Sequence, residues 1–154
     1  MAWVRILVDG YSLLHHWPAL RRGAPPHSAA ARNELVRILT QYQDAVGTPV
    51  TIFFDGSGAP PHVPKDGTPA VEVLFSSGGR TADDLIERVT HRFQEYGEVL
   101  VVTNDHAERD TVSAAGGSAV SCSHFIALVE SALRTLRESV REYNRNEQKR
   151  YRQS

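Results

Sequence analysis

A single α/β domain with a central, mostly parallel sheet covered by helices on both faces is the fold class predicted by three observations. Short, β-branched, apolar runs alternate with helix-like stretches. Three of those runs end at or just before an aspartate. The chain has 154 residues, the length of one domain, and needs neither disulfides nor a structural metal to bury a core.

Trp3-Val-Arg-Ile-Leu-Val8, bounded by Asp9 and Gly10, has the composition of a central strand covered on both faces. Residues 28 to 46 place Leu35, Ile38, Leu39, Tyr42 and Val46 on one helical stripe, with Gly47 as a helix stop. Val50 to Phe54 is a second strand, ending at Asp55-Gly56. Val71 to Phe75 alternates less completely, as suits a strand nearer an edge. Thr81 then caps a helix carrying Asp83 and Asp84 in its first turn and Leu85, Ile86, Val89 and Phe93 along its apolar face. Val99 to Val102 is the next strand, followed by Thr103-Asn104-Asp105 and a short helix. Ser118 to Val120 forms a last short strand, and a helix runs from about Ser123 to Val140. Two Pro- and Gly-rich stretches, 17–27 and 56–69, read as long loops.

Composition narrows the function classes. The chain is 41% hydrophobic and 23% charged, with 17 Lys and Arg against 18 Asp and Glu. A net charge of −1 excludes nucleic-acid binding through bulk positive charge but leaves room for a local patch. The one cysteine, Cys122, supports neither an internal disulfide nor a cysteine-based zinc site and reads as a small packed side chain near a helix start. No apolar run reaches membrane-spanning length and no signal peptide is visible, so a cytoplasmic protein without a membrane partner is expected. Residues 134–154 carry seven Lys or Arg and three Glu, a net of +4, which leaves −5 on residues 1–133. That segment reads either as a solvated helix face ending in a frayed tail or as an RNA- or ribosome-facing basic tail.

The chemistry sits at the strand ends. In a parallel sheet, Asp9, Asp55 and Asp105 arrive at the same carboxyl edge, and Asp83 and Asp84 open a helix there. Crowded carboxylates repel unless neutralised, and an oxygen-only ligand set selects Mg²⁺ or Mn²⁺. Such a site suits phosphodiester hydrolysis, although an aspartate at any one of these positions is also an ordinary cap or turn residue. No Gly-rich phosphate loop is present, so a nucleotide cofactor is not expected, and no serine-hydrolase elbow occurs. His15 and His16 lack a metal-binding partner at a defined spacing and read as ordinary surface or half-buried residues.

Val8-Asp-Gly-Tyr-Ser-Leu-Leu14, Phe53-Phe-Asp-Gly56, Thr81-Ala-Asp-Asp-Leu-Ile-Glu87 and Val102-Thr-Asn-Asp105 together resemble the motifs of NYN domains, a PIN-like nuclease group. The resemblance is narrowest to the YacP-like bacterial members and covers roughly residues 3–136. It implies a three-layer α/β/α PIN-like fold, here over residues 1–143 with 144–154 as a basic tail. It also implies metal-dependent endoribonuclease activity, with mRNA as substrate and the ribosome as a partner of some members. By position, Asp9, Asp83 and Asp105 would be metal ligands or would hold metal-bound water, with Asp84 a fourth catalytic carboxylate and Asp55 a supporting one. Thr103 and Asn104 occupy positions where family members carry small hydroxyl residues that orient substrate or metal water. Ser12 stands where the family usually has Asn, and Arg109 where Gln is common, one turn beyond Asp105. These two departures keep open a competing reading, a PIN-like module that binds RNA or the ribosome with little or no cleavage.

From the residues themselves, Arg21, Arg22 and Arg80 are candidates for phosphate contacts, and Tyr11 for stacking on a base. Each also has an ordinary reading, as solvated loop charge or as packing against the first strand.

Overall fold

In a computed structural model, residues 3–56, 71–76 and 79–153 are described. Five strands form one sheet: β1 (Arg5–Asp9), β2 (Val50–Phe54), β3 (Glu72–Phe75), β4 (Val99–Val102) and β5 (Ser118–Val120), in the order β3-β2-β1-β4-β5. Every neighbouring pair is parallel. All five carboxyl ends therefore lie along one edge, and the order reverses its winding between β1 and β4, where such sheets bind ligands.

Alternation along the strands separates two cores. Ile6, Val8, Ile52, Phe54, Leu100 and Val102 face one side, where α1 (Gly10–His15), α2 (Pro18–Arg21), α3 (Ala29–Val46) and α6 (Cys122–Gln153) supply the covering side chains. Leu7, Phe53, Val99 and Val101 face the other, covered by α4 (Ala82–Phe93) and α5 (His106–Ala114). Three layers result. Burial on both faces explains why these strands read as unbroken apolar runs.

The expected helix signals lie close to the observed boundaries. Ser28 caps α3 by accepting from Ala31 N–H at 3.1 Å, and Gly47 ends it with φ +75°. Thr81 and Asp84 form a reciprocal capping box at α4. The less regular run ending at Phe75 is an edge strand, as its pattern suggests.

Four features differ from expectation. The helix α1 starts directly at the end of β1; six residues are too few to show a helical period. Gly10 is required there, because a Cβ would lie 2.3 Å from Cε1 of the buried Phe54. The expected loop 17–27 contains the single turn α2, held by the buried Trp17 and Leu20. Most of the expected loop 56–69 lies outside the described residues. Val46, the last residue of α3, is exposed rather than part of the buried stripe. Finally, α6 runs unbroken through residue 143 to Gln153, so no change of secondary structure marks the start of the basic segment.

A candidate acidic metal centre

The site grows out of three helix starts. Asp9 ends β1 and caps α1, its Oδ1 accepting from Ser12 N–H at 3.4 Å. Asp83 occupies the first turn of α4. Asp105 caps α5, with Oδ1 accepting from Ala107 N–H at 2.9 Å and Glu108 N–H at 3.4 Å. That cap orients the first turn of α5, so that Glu108 turns inward to the sheet edge. One carboxylate oxygen each from Asp9, Asp83 and Glu108 lies within 4.8 Å of the others. These three acidic groups, on β1, α4 and α5, form the centre.

Glu108 was missing from the expected ligand set. Its signal was present: a glutamate three residues after a capping aspartate, where a capping-box partner would stand. That position reads as a helix cap until the fold shows the side chain buried. Thr103, 1% exposed, donates its hydroxyl to Glu108 Oε2 at 2.7 Å and accepts from Asp105 N–H at 3.1 Å. The remaining oxygen, Oε1, is buried and meets no hydrogen-bond donor. Facing other carboxylates, such an atom needs a proton or a cation.

The electrostatics reflect that need. Burial, reinforced by Asp83, Asp55 and Asp105, pushes the Asp9 carboxyl up to about 6 despite the Ser12 amide, which pulls the other way. Burial and its neighbour Asp83 raise Glu108 to about 8, opposed by the Thr103 hydroxyl. Asp83 is raised as well, chiefly by burial and then by Asp105, while its link to Glu108 acts downward. Without a cation, Glu108, lifted to about 8, keeps its proton at neutral pH beside Asp83. All available donors are carboxylate oxygens, one of them orphaned, and this set fits a hard divalent cation. A cleft of about 170 Å³ lined by Asp83, Glu87, Asp105, Glu108 and Thr111 opens beside the centre.

The other expected site residues are distributed around this trio. Asp105 raises both Asp9 and Asp83 electrostatically, but its Oδ1 is engaged by the helix cap. Asp55 lies close enough to add to the field and accepts from Ala82 N–H, fixing the start of α4. Asp84 turns back to Thr81 N–H at 3.2 Å and is exposed. The Ser12 hydroxyl lies 3.6 Å from Cys122 Sγ. Cys122 is fully buried at the start of α6, and burial raises its thiol pKa.

Asn104 is a brace. Its Oδ1 accepts from Cys122 N–H at 2.8 Å, so its Nδ2 donates to His16 Nε2 at 2.9 Å. His16 must then carry its proton on Nδ1, which donates to Ser12 C=O at 2.8 Å. One side chain thus ties β4 to α1 and α6. Arg109 is bound through Nε to Thr103 C=O at 3.2 Å.

The expected RNA contacts are less concentrated. Tyr11 packs at 4.9 Å from Phe54 and 4.5 Å from His27, and its hydroxyl accepts from Arg32 at 3.2 Å. Arg21 donates to Leu14 and Ala24 carbonyls at 2.8 and 2.9 Å, stitching its own loop. Arg22 is exposed with a left-handed backbone, φ 50°. Arg80 is exposed on the rim of an open hollow shared with Asp84, Arg88 and Arg92.

A parallel three-layer α/β domain whose sheet edge gathers buried carboxylates is the class that fold and site define. The chain belongs to the YacP-like NYN domain family, which matches residues 6–154. At the level of that family, a nuclease-type, RNA-related function follows. The uncharacterized protein YacP of Bacillus subtilis (strain 168) is 28% identical over 137 residues, 88% of this chain and 81% of that protein. Two crystal structures of Rae1 (YacP) from Bacillus subtilis are similar. One, a tryptophan-to-leucine mutant, has a TM-score of 0.76 at 26% identity over 91% of this chain and 82% of that one. The other has a TM-score of 0.72 at 27% identity over 92% and 81%. Among the described residues, no helix is long and apolar enough to cross a membrane.

Proposed function

We propose that this protein is a Mg²⁺- or Mn²⁺-dependent endoribonuclease whose metal is held by Asp9, Asp83 and Glu108. The observation that carries this reading is the buried, donor-less Oε1 of Glu108 within a three-carboxylate cluster. When bound, a divalent cation supplies charge neutralisation and Lewis-acid activation of water and phosphate. The chain's own residues supply the placement. Ser12 N–H holds Asp9, the Thr103 hydroxyl holds Glu108, and Asp105 fixes the helix that carries Glu108. Asp83 projects from the neighbouring helix α4, so Asp9, Asp83 and Glu108 would hold the cation at the carboxyl edge of the sheet. Arg109, tied back to Thr103, is a nearby cation of the chain itself for charge developing on the scissile phosphate. The site residues beyond the trio keep supporting roles: Asp55, Asp84 and Asp105 shape the field, and Asn104 braces the edge.

The substrate class is RNA, with mRNA and a ribosome partner in the cytoplasm as the setting that the family resemblance supplies. Cleavage of end-labelled single-stranded RNA in Mn²⁺, with EDTA and Asp83→Asn as controls, tests the activity. The expected products carry 5′-phosphate and 3′-hydroxyl ends. Cyclic 2′,3′-phosphate ends, or cutting that survives EDTA, would contradict the mechanism.

A further inference from the structure

Beyond Leu133 the helix α6 leaves the body of the protein, and every residue from Arg134 to Arg152 is exposed. At 3.6 residues per turn, Arg134, Arg137, Arg141, Arg145 and Arg152 fall within one arc of about 80°, spread over about 27 Å of helix. Glu138 borders that arc, about 20° from its edge and without an ion pair among the described residues, and Glu142 and Glu147 lie further round the helix. Among the described residues none of the five arginines has an ion-pair partner; the pair on this stretch, Arg150–Glu147 at 3.4 Å, is off the arc. Arg141 and Arg145 frame a shallow concavity with Asn144 and Gln148 on the same side.

Like charges stacked one turn apart destabilise a helix unless a counter-charge meets them. Guanidinium forks match phosphate oxygens, and a straight row of them matches a repeating polyanion. The body contributes −5, so this positive face is a local feature of the helix rather than of the molecule. A second copy of the chain fits less well. Leu136, Val140 and Tyr143 continue the buried stripe for only two turns before Glu147 interrupts it, short of the three to four heptads that a coiled coil needs. The helix is also anchored at the acidic edge, where Asn104 receives Cys122 N–H. The arginine row therefore starts about 18 Å from that edge along the helix and ends about 45 Å from it.

We propose that the arginine face of α6 is a sequence-independent binding surface for the RNA phosphate backbone, remote from the acidic centre. It deepens the RNA reading above and adds a grip on a different stretch of the same strand. Long RNA is then held at two places, and RNA too short to leave the edge is held at one.

Binding measured in EDTA separates this surface from cleavage, so it stands or falls independently of the nuclease assay. A fluorescent RNA of about 30 nucleotides is titrated across salt concentrations against wild type, Arg141→Gln/Arg145→Gln and Lys149→Gln/Arg150→Gln. The two variants remove equal charge, the first from within the arc and the second from a pair centred about 130° away from it, and helicity is checked by circular dichroism. The first variant is expected to lower the slope of log K against log salt by about 1.4 to 1.8, and the second to leave it near wild type. Equal losses in both variants would overturn the proposal, because binding would then follow net charge. So would wild-type slopes in both. Sedimentation showing a dimer that Arg141→Gln/Arg145→Gln dissociates would overturn it in favour of self-association.

Discussion

Glu108→Gln is expected to abolish stabilisation by Mn²⁺ and to lower RNA cleavage by at least about 100-fold, while raising the melting temperature of the metal-free protein at pH 8. The two opposite effects have one origin. Glutamine keeps the shape of the side chain and an oxygen for the Thr103 hydroxyl, but it removes a charge crowded by Asp83 and Asp9. Without metal, the lost repulsion is a gain. With metal, the lost ligand is a deficit. For wild type, Mn²⁺ at about 100 times its Kd should add about 2.7 kcal/mol, or about 5 to 11 °C in a domain of this size. Thermal melts with and without Mn²⁺ read both effects. A Glu108→Gln protein that keeps the full Mn²⁺ shift would remove Glu108 from the centre and return Asp105 to the ligand position expected from sequence.

Stability of the metal-free protein is expected to fall as pH rises from 5 to 8. Asp9 and Glu108 hold protons more tightly folded than unfolded, from 3.8 up to about 6 for Asp9 and from 4.5 up to about 8 for Glu108. Within those windows the native state binds more protons, so the slope of unfolding free energy against pH is negative. For Asp9 alone the shift corresponds to about 3 kcal/mol lost by neutral pH. Urea unfolding in EDTA at pH 5 and pH 8 measures the decline. Excess Mn²⁺ should remove most of it, since the cation takes the place of the proton, and Glu108→Gln should flatten its upper half. Stability that rises across this range in EDTA would mean that the carboxylates are not crowded.

The sheet was legible because its central strands are covered on both faces: Val50–Phe54 and Val99–Val102 appear where the apolar runs stand. Asp9 and Asp83 were legible as members of the acidic cluster because strand ends and helix starts share one edge of a parallel sheet. Three things were not. The helix α1 is shorter than the window in which a helical period shows, and it depends on Gly10 fitting against Phe54. The presence of Glu108 rather than Asp105 in the carboxylate cluster depends on which carboxylate the first turn of α5 sends inward. Both residues sit at cap positions, and spacing alone cannot say which one caps. The Asn104–His16 bridge joins residues 88 apart in sequence and leaves no local mark.

The most direct measurement is an anomalous difference map from crystals grown with Mn²⁺. A peak bounded by Asp9, Asp83 and Glu108, with Asp105 still capping α5, is the expected result. No peak at millimolar Mn²⁺, or one seated on Asp84 or Asp55 away from Glu108, would contradict it.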